Sequence, residues 1–485
     1  MPIDSERLLQ ILSEANPWWT GGEVPSSLAP PYRRRDFFVL RRRLDGRPIV
    51  ALAGPRQVGK TTLMYQVLRD LLENGVPSNR VLFASFDLPG LGLAAADPLN
   101  DVIRTYEERI LREPFRSLDG PAYILLDEVT KARNWHRDLK GWFDFRYPLR
   151  FLVSSSSKSE LESGASASLA GRVSTQLLLS WKFVDVMALR TGDHRANDGY
   201  LEARTAIIPA MRQRRPDILH AELLKLRPRS AKKRVSIAST LDWYLLVDGY
   251  PELAQATDIA ACARRLDEYV KLTLAHDLYR FHEIRSSTRV LEDLLSLIAS
   301  QSGGLASYAG LAEPVGLEQR TLVEYLDYLE EAFLISRASF YSRSRQSRLR
   351  KQKKVYVPNP GLLNVLRGRL DRTLLTSPEQ MGSVAESVVH EHAKRLAFNL
   401  GGGLGPEVFY WRNRRGQEVD VVIEISGQPL PIEVKYRADP RQHLEGIRSF
   451  IEEKHAPLGL VITKDVLDLS PPLVFVPLAD FLMLA

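Results

Sequence analysis

Short apolar runs alternate with amphipathic stretches in the first part of the chain. Four of these runs have the length of buried strands: 48–53, 80–86, 122–126 and 150–153. The stretches 61–74 and 98–113 carry apolar residues at helical spacing and predict helices. Strands that alternate with helices form a parallel sheet with helices on both faces, so residues 46–190 are predicted to be an α/β core.

The pattern changes beyond this core. Residues 193–240 are polar and basic, and they are predicted to form an irregular insertion or a mobile arm. Residues 241–300 have a helical pattern. Residues 305–356 are predicted to form short helices followed by a strand pair, 333–341 with 354–357.

A third pattern begins near residue 381 and predicts a second α/β region. Its predicted elements, in order, are a helix at 382–397, a glycine-rich turn at 401–405, strands at 407–412, 418–425 and 430–436, a helix at 440–454 and a strand at 457–463. We find no internal repeat in the sequence, so a solenoid is not expected.

The composition is that of a folded protein. The chain has 485 residues, of which 44% are hydrophobic and 26% charged. Its single cysteine, Cys262, excludes an intramolecular disulfide and a zinc site built from cysteines. No run of about 18 apolar residues is present, so a membrane span is not expected. The N-terminus has acidic residues and no apolar signal segment, so we expect a cytoplasmic protein.

Basic residues are clustered in a chain whose formal net charge is +7. The segment 343–354 (RSRQSRLRKQKK) holds seven Lys or Arg in twelve residues and no acid. Both a solvated basic surface and a contact with nucleic-acid phosphates explain such a segment. The candidate DNA contacts are Arg343, Arg345, Arg348, Arg350, Lys351, Lys353 and Lys354.

A phosphate-binding loop is predicted at 54–61, where GPRQVGKT fits G-x-x-x-x-G-K-[ST] between a strand and a helix. The glycines allow backbone N–H groups to face phosphates, and the following helix N-terminus adds positive potential. Lys60 is expected to reach the β- and γ-phosphates, and Thr61 to offer its hydroxyl to Mg²⁺. The candidate nucleotide-binding residues are Gly54, Pro55, Arg56, Gln57, Val58, Gly59, Lys60, Thr61 and Thr62.

Two acids follow the third predicted strand directly. Asp127 and Glu128 come after the apolar run that ends at Leu126. We expect Asp127 to hold Mg²⁺ through water and Glu128 to polarise the water that attacks the γ-phosphate. ATP and Mg²⁺ are therefore the expected cofactors.

Carboxylates also gather in the C-terminal region. Glu433 and Lys435 lie two residues apart in one predicted strand and so point to one face. A hairpin brings Asp420 next to that face, and Glu386 on the preceding helix completes the set. Converging carboxylates repel each other unless a divalent cation lies between them, so the three acids are candidate Mg²⁺ ligands. Lys435 would orient water and stabilise phosphate charge, whereas a solvated strand face is the competing interpretation.

Three motifs, GPRQVGKTTL, LLDEVTKARNW and SLAGR, resemble an archaeal and bacterial family of AAA+-type ATPases with a C-terminal domain long described as of unknown function. The resemblance covers about residues 16–463. It implies a polar sensor after the fourth strand, usually Thr-Gly-Ser-Ser. This sequence has four serines at 154–157 instead, which keep the hydroxyls without the glycine, and Ser154 and Ser156 are the candidate nucleotide contacts. It also implies that Arg172 stabilises transition-state charge, a role that a neighbouring subunit often supplies, whereas an ordinary surface arginine is the alternative. A homo-oligomeric ring is therefore expected, with a hexamer as the first choice.

The middle of the chain resembles a helical lid followed by a winged helix. Asp248-Gly249-Tyr250-Pro251 is similar to the family's Gly-Gly-Tyr-Pro turn, and the helices at 257–283 resemble the lid. In the winged helix, residues 317–331 take the place of the recognition helix, but they are acidic, so sequence-specific groove reading is not expected. The basic run takes the place of the wing, where it would contact phosphates. A protein-contact module is the alternative.

The set Glu386, Asp420, Glu433 and Lys435 resembles the PD-(D/E)xK nucleases, especially archaeal Holliday junction resolvases. The resemblance implies that the three acids bind Mg²⁺ and that Lys435 is catalytic, although a nuclease fold that no longer cuts has the same pattern. The predicted regions are an N-terminal arm (1–45), an AAA+-type ATPase core (46–190), a basic insertion (191–240), a helical lid (241–300), a winged helix (301–378) and a nuclease-like α/β domain (379–485).

Two functions from different classes follow from these observations. The first is an ATP-driven DNA-processing motor that binds, remodels or cleaves branched, Holliday-junction-like DNA. The alternative is a nucleotide-switched signalling or scaffolding ATPase whose nuclease-like domain binds without cutting. The four-residue C-terminal set favours the motor, and the substituted sensor favours the switch.

Overall fold

The computed structural model describes residues 5–88, 91, 97–157, 161, 169–193, 198–227, 231–247, 249–279, 284–401 and 407–485. The chain divides into two compact units, Met1–Leu179 and Ser180–Ala485. Parts of the stretches named in the sequence analysis lie outside the described residues, including 1–4, Ser168, 194–197, 228–230, Asp248, 280–283 and 402–405.

The first unit contains a five-stranded sheet in the order β2–β3–β4–β1–β5. Its strands are β1 (Ile49–Ala53), β2 (Val81–Ser85), β3 (Ala122–Asp127), β4 (Leu149–Ser155) and β5 (Val173–Leu177). Every neighbouring pair is parallel, and β1 to β4 are buried almost throughout their length. The predicted parallel α/β core and its four strands are confirmed.

The fifth strand was not predicted, because its sequence VSTQL has no apolar run. β5 lies at the edge of the sheet, where only Gln176 is buried. An edge strand with one neighbour keeps polar side chains in solvent, so the pattern of a buried strand is missing.

The helices of the first unit are α1 (Ser5–Ala15), α2 (Arg35–Leu44), α3 (Lys60–Glu73), α4 (Pro98–Thr105) and α5 (Trp135–Asp144). A π-helical turn, Tyr106–Leu111, continues α4. Both predicted helices of the core, 61–74 and 98–113, are therefore present within a few residues of their predicted bounds.

The predicted N-terminal arm is bound to the other edge of this sheet. The Asn16 amide donates to the Phe83 carbonyl at 2.8 Å, and its Oδ1 accepts from the Phe83 N–H at 2.7 Å. The indole N–H groups of Trp18 and Trp19 both donate to the Val81 carbonyl, at 3.0 and 2.9 Å. Side chains thus satisfy backbone groups of the edge strand β2 that a further strand would otherwise pair with.

The second unit contains an eight-stranded sheet in the order β12–β13–β11–β10–β9–β8–β6–β7. Its strands are β6 (Ser336–Phe340), β7 (Lys354–Tyr356), β8 (Val408–Arg412), β9 (Glu418–Ile425), β10 (Gln428–Lys435), β11 (Gly459–Thr463), β12 (Asp468–Ser470) and β13 (Leu473–Pro477). The four predicted C-terminal strands are present as β8 to β11, whereas β12 and β13 were not predicted.

The predicted strand pair upstream belongs to this same sheet. β6 and β7 are antiparallel, with Ser336 opposite Tyr356. β6 also runs parallel to β8, where Phe340 lies opposite Tyr410. The predicted boundary at residue 378 therefore does not separate two independent sheets.

The helices of the second unit are α6 (Phe183–Thr191), α7 (Tyr200–Gln213), α8 (Pro216–Leu226), α9 (Ala231–Val247), α10 (Ile259–Leu272), α11 (Thr288–Ser300), α12 (Tyr308–Ala312), α13 (Gln319–Glu331), α14 (Arg345–Arg350), α15 (Pro360–Leu366), α16 (Pro378–Leu400), α17 (Glu445–Lys454) and α18 (Leu478–Leu484). Among the described residues, no helix is both long and apolar enough to cross a membrane.

The predicted irregular insertion is wrong, because its described residues are largely helical. α7 and α8 bury Ile207, Met211 and Leu219, and these apolar positions have helical spacing within each helix. The basic residues between them, such as Arg214 and Arg215, are exposed at the turn that joins the two helices. The many charged residues on the exposed faces of these helices obscure the apolar pattern of their buried faces in the sequence.

Replacing Asn16 with Ala should lower the free energy of unfolding by about 2 kcal/mol, because backbone groups of β2 lose their buried partner. Urea unfolding followed by tryptophan fluorescence measures the change. Gln10→Ala is the matched control, since Gln10 is exposed and bonds only Glu14, and its effect should stay within about 0.5 kcal/mol. Equal effects of the two substitutions would show that Asn16 does not hold the arm.

Candidate functional site

The predicted phosphate-binding loop connects the end of β1 to the start of α3. Gly59 has a φ of 92°, a left-handed conformation that suits glycine. Gly54 has a different reason to be glycine, because a Cβ there would lie 2.0 Å from the Leu178 carbonyl oxygen. The Leu178 N–H also donates to the Ala53 carbonyl at 2.7 Å. The first glycine of the loop is thus fixed by close contact with the chain that follows β5.

Lys60 is buried at the first turn of α3, and its ammonium is directed back into the loop. Its Nζ donates to the carbonyls of Gly54 and Pro55 at 2.9 and 3.1 Å. Nζ also lies 3.5 Å from Glu128 Oε1. These contacts place the lysine in the concave side of the loop, where phosphate oxygens could replace the two carbonyls.

Asp127 lies at the carboxyl end of β3, next to the head of α3. The Thr61 hydroxyl donates to its Oδ2 at 3.0 Å, and the Ser154 hydroxyl donates to its Oδ1 at 2.5 Å. Burial, followed by repulsion from Glu128, raises the pKa of Asp127 above its ordinary value. A hydroxyl and a carboxylate in contact are oxygen donors of the kind that Mg²⁺ prefers, so the residues present fit this ion.

Glu128 is anchored by the serines that replace the expected sensor. Its Oε2 accepts from both the backbone N–H and the hydroxyl of Ser156, each at 3.1 Å. The Glu128 N–H donates to the Ser154 hydroxyl at 3.0 Å. Ser154 therefore contacts both acids, whereas Ser156 orients the carboxylate of Glu128. Glu128 has a φ of 50°, which turns the chain sharply after β3.

Arg172 lies at the surface of the first unit. Its guanidinium forms two hydrogen bonds with Asp144, at 2.9 and 3.3 Å. The sequence analysis did not anticipate Asp144 as its partner. An exposed ion pair of this kind is weak, so it leaves the arginine able to contact another group.

In the second unit, the predicted acids are divided between two lysines. Lys435 Nζ donates to Glu433 Oε1 at 2.5 Å, on the face of β10 that the two residues share. Asp420 is held against the same strand, since its Oδ2 accepts from the Val434 N–H at 2.8 Å. Glu433 Oε2 is buried and has no hydrogen-bond partner among the described residues.

Lys354 was wrongly included in the predicted DNA contacts, because it is buried, with an exposed fraction of only 2%. Its ammonium lies 2.5 Å from Glu418 Oε1, 3.1 Å from Glu386 Oε1 and 3.8 Å from Asp420 Oδ1. Burial alone would lower the pKa of Lys354, but the surrounding carboxylates raise it well above its ordinary value. Lys354 is the first residue of β7, and its side chain points inward with Tyr356, two residues along the strand.

The other basic residues of the predicted wing are available to solvent to different extents. Arg343, Arg345, Arg350 and Lys351 are exposed, and Lys353 is half-buried. Arg348 is half-buried, with an ion pair to Glu407 at 3.0 Å and a stacking contact with Phe409. We define the basic segment as residues 343–353, without Lys354.

The C-terminal acids do not fit a metal ion in this arrangement. Within the part of the chain that the structure describes, no group of three or more His, Cys, Asp or Glu side chains is placed to hold one. The reason is the position of Lys354, whose ammonium lies where the sequence analysis expected Mg²⁺ among Glu386 and Asp420. Neither Lys354 nor Glu418 was predicted as a member of this acidic cluster. Glu418 begins β9, the strand that carries the predicted Asp420, and Lys354 begins β7.

Burial changes the protonation of this cluster. Burial is the main reason that the pKa of Glu386 rises to about 7, and the neighbouring Asp420 contributes. Burial, again with Asp420, raises the pKa of Glu433 to about 8. Both carboxyl groups therefore hold protons at a pH where glutamates in water have lost them.

Three family models match parts of the chain. Residues 46–187 match the family model described as "AAA domain". Residues 238–373 match "Domain of unknown function (DUF8612)", and residues 381–479 match "Domain of unknown function (DUF4143)". The match to the AAA domain model covers the part of the chain that contains the phosphate-binding loop, Asp127 and Glu128.

The chain is also similar to curated proteins without an assigned function. The uncharacterized protein Rv2008c of Mycobacterium tuberculosis is 27% identical over 411 residues, which cover 84% of this chain and 75% of that protein. The uncharacterized protein MJ1637 of Methanocaldococcus jannaschii is 24% identical, with 68% of this chain and 66% of that protein covered.

Two solved structures are similar at lower identity. The ADP form of the Aeropyrum pernix ORC2 protein is 14% identical, covers 71% of this chain and 96% of its own, and has a TM-score of 0.33. The S. cerevisiae Hsp104:casein complex is 15% identical, covers 65% of this chain and 53% of its own, and has a TM-score of 0.30.

The stability of the second unit should decrease as the pH rises through the range from about 4.5 to 8. The unfolded glutamates ionise early in that range, while the folded Glu433, with a pKa of about 8, still holds its proton. The melting temperature of the wild type should therefore fall between pH 5.5 and pH 8.5 by about 2 °C more than that of Glu433→Gln, which cannot ionise. Glu453→Gln, an exposed control, should behave as the wild type. A wild type and a Glu433→Gln variant with the same pH dependence would contradict the raised pKa.

Proposed function

We propose that this chain uses ATP hydrolysis to act on DNA that its basic segment holds, with branched and four-way DNA as the first substrates to consider. The observation that carries the proposal is the hydrogen bond of 3.0 Å between Thr61 and Asp127 at the N-terminus of α3, beside the buried Lys60. Together with the adjacent Glu128, this site supports the catalysis of phosphoryl transfer rather than nucleotide binding alone, because binding does not need the Glu128 carboxylate.

The chain's own residues have separate tasks at the nucleotide. Lys60 would exchange the Gly54 and Pro55 carbonyls for phosphate oxygens, and the N–H groups of the loop would hold the remaining phosphate charge. Thr61 and Asp127 would hold Mg²⁺, which supplies neutralisation of the phosphate charge when it is bound.

Glu128 would accept a proton in the hydrolytic step. A water oxygen attacks the γ-phosphorus, the bond from that phosphorus to the β–γ bridging oxygen breaks, and ADP leaves. The proton of the water passes toward the Glu128 carboxylate, which Ser156 orients through two hydrogen bonds. We propose that Ser154 and Ser156 together replace the expected sensor. Ser154 contacts both Asp127 and Glu128, and Ser156 contacts Glu128. Arg172 would act on the nucleotide of a neighbouring copy in a ring, once released from Asp144.

DNA binding is proposed for the basic segment because its exposed side chains carry positive charge without intervening acids. Arg343, Arg345, Arg350 and Lys351 would contact phosphates, which gives affinity with little dependence on sequence. The segment lies between β6 and β7, in the place of the wing that the resemblance implies. Cleavage is not part of the proposal, since the C-terminal acids do not fit a metal ion.

A nucleotide-switched scaffolding ATPase is the second candidate, and one observation favours it. Helix α13 and its N-cap present Glu318, Glu324 and Asp327 to solvent, where they would repel phosphates. A basic protein surface is the chemical complement of such a helix. ATPase activity that is independent of DNA would support this candidate.

Lys60→Ala should lower ATP turnover about 10²-fold or more and weaken ATP binding, because the phosphate charge loses its buried partner. Glu128→Gln should keep ATP binding while lowering hydrolysis about 10²- to 10⁴-fold, since the amide cannot accept a proton. Steady-state phosphate release and fluorescent-ATP binding separate the two effects. Glu73→Gln, an exposed acid at the end of α3, is the control and should turn over normally. Unchanged turnover in Glu128→Gln would exclude Glu128 as the activating residue.

Reversing two exposed charges of the basic segment, Arg350→Glu with Lys351→Glu, should weaken DNA binding and reduce the slope of log K against log salt by about 2. Fluorescence anisotropy on matched single-stranded, duplex, forked and four-way DNA measures this, and phosphate release on the same DNAs shows whether they stimulate hydrolysis. Arg264→Glu with Arg320→Glu is the control, because it changes the net charge equally at exposed sites outside the segment. Equal losses in both double variants would mean that only net charge matters and would overturn the assigned contacts.

A further inference from the structure

Lys354 is a charged residue in a buried position, where packing alone does not require a charge. It begins β7 and is 2% exposed, although lysine is among the residues least often buried. An ammonium that leaves water loses much of its hydration energy and therefore requires carboxylates in close contact. The surroundings of Lys354 meet that requirement from two different elements.

Three carboxylates surround the ammonium. Glu386 comes from α16, while Glu418 and Asp420 come from one face of β9, two residues apart. The distances from Nζ are 2.5 Å to Glu418, 3.1 Å to Glu386 and 3.8 Å to Asp420. An ammonium has three N–H donors, so its donor count matches this set of acids.

The next inward residue of β7 adds to the same cluster. The Tyr356 hydroxyl donates to Glu386 Oε1 at 2.9 Å, the same oxygen that Lys354 contacts. Two successive inward side chains of one strand thus satisfy an acid on α16. Glu386 Oε1 therefore has two contacts from β7, and the side chains of Lys354 and Tyr356 fill the β7 side of the cluster.

The ammonium occupies the volume between the acids. Glu386 lies at hydrogen-bond distance from Nζ, and Asp420 lies at ion-pair distance. A divalent ion could therefore reach these carboxylate oxygens only if the Lys354 side chain moved away. Lys435 contacts Glu433 in a similar way, so a lysine lies at each end of the acidic set.

We propose that Lys354 is the resident cation of this acidic cluster, takes the place of a divalent metal ion, and makes the C-terminal region independent of metal. The proposal concerns the cluster alone and does not depend on whether the basic segment binds DNA. It assigns to a lysine of β7 the charge neutralisation that the motif comparison assigns to Mg²⁺.

Removal of the ammonium should convert the cluster into a metal site. In Lys354→Ala, the carboxylates of Glu386, Glu418 and Asp420 would face an empty volume with no counter-charge. This variant should melt about 5 °C or more below the wild type. Addition of about 1 mM Mn²⁺ should restore part of the loss, because a divalent ion can supply the missing charge.

Mn²⁺ binding without nucleotide, measured by electron paramagnetic resonance and by titration calorimetry, provides the direct readout. Lys354→Ala should bind one Mn²⁺ per chain more than the wild type, and a second substitution, Glu386→Gln, should abolish that gain. Lys353→Ala is the matched control, since it removes the same charge from the neighbouring half-buried position and should gain no ion. The proposal would be overturned by a wild-type Mn²⁺ site that Glu386→Gln or Glu433→Gln removes, or by a folded Lys354→Ala that neither melts lower nor gains an ion.

A charge-balanced variant covers the case in which Lys354→Ala does not fold. Lys354→Met with Glu418→Gln removes one positive and one negative charge, so it should melt closer to the wild type than Lys354→Met alone. Lys354→Arg keeps the charge and should bind no Mn²⁺. Absence of any rescue by Glu418→Gln, or Mn²⁺ binding by Lys354→Arg, would contradict the assignment of Lys354 as the cation.

Discussion

Both units of this chain depend on the pairing of a buried ammonium with nearby carboxylates. In the first unit, Lys60 lies within 3.5 Å of Glu128, beside the hydrogen-bonded Asp127. In the second, the buried Lys354 lies among three partly buried acids. The two pairs differ in what the lysine can do. Lys60 is bound mainly by carbonyls, which phosphate oxygens can replace, whereas Lys354 is bound by charges that only another cation can satisfy.

The serines after β4 show how a site can keep its geometry with different residues. Ser154 donates to Asp127 and accepts from the Glu128 backbone, and Ser156 donates twice to the Glu128 carboxylate. These contacts need hydroxyls and one backbone N–H, and they do not need the glycine that the family pattern has. The arrangement therefore relates the position of Glu128 directly to β4, the strand between β3 and β1 in the sheet.

The elements predicted well from the sequence are those whose signal is local. A glycine loop between a strand and a helix, or two acids at a strand end, follows from a few adjacent residues, and Lys60, Asp127 and Glu128 meet as expected. Lys354 was misplaced because its neighbours in sequence are basic, while its partners on α16 and β9 are more than 30 residues away. The sequence predicted a strand that begins at residue 354, but the basic composition of the preceding run suggested that the side chain of Lys354 faces solvent like the rest of the run.

The contact between Gly54 and Leu178 has a mechanical consequence. No atom beyond the backbone fits between the loop and the chain after β5, and the Leu178 N–H is hydrogen-bonded to the residue just before the loop. A shift of the loop backbone when phosphates enter must therefore push or pull residue 178, which lies two positions before the second unit begins. The chain thus leaves the first unit two residues after a backbone contact with the phosphate-binding loop, and no helix lies between the two points.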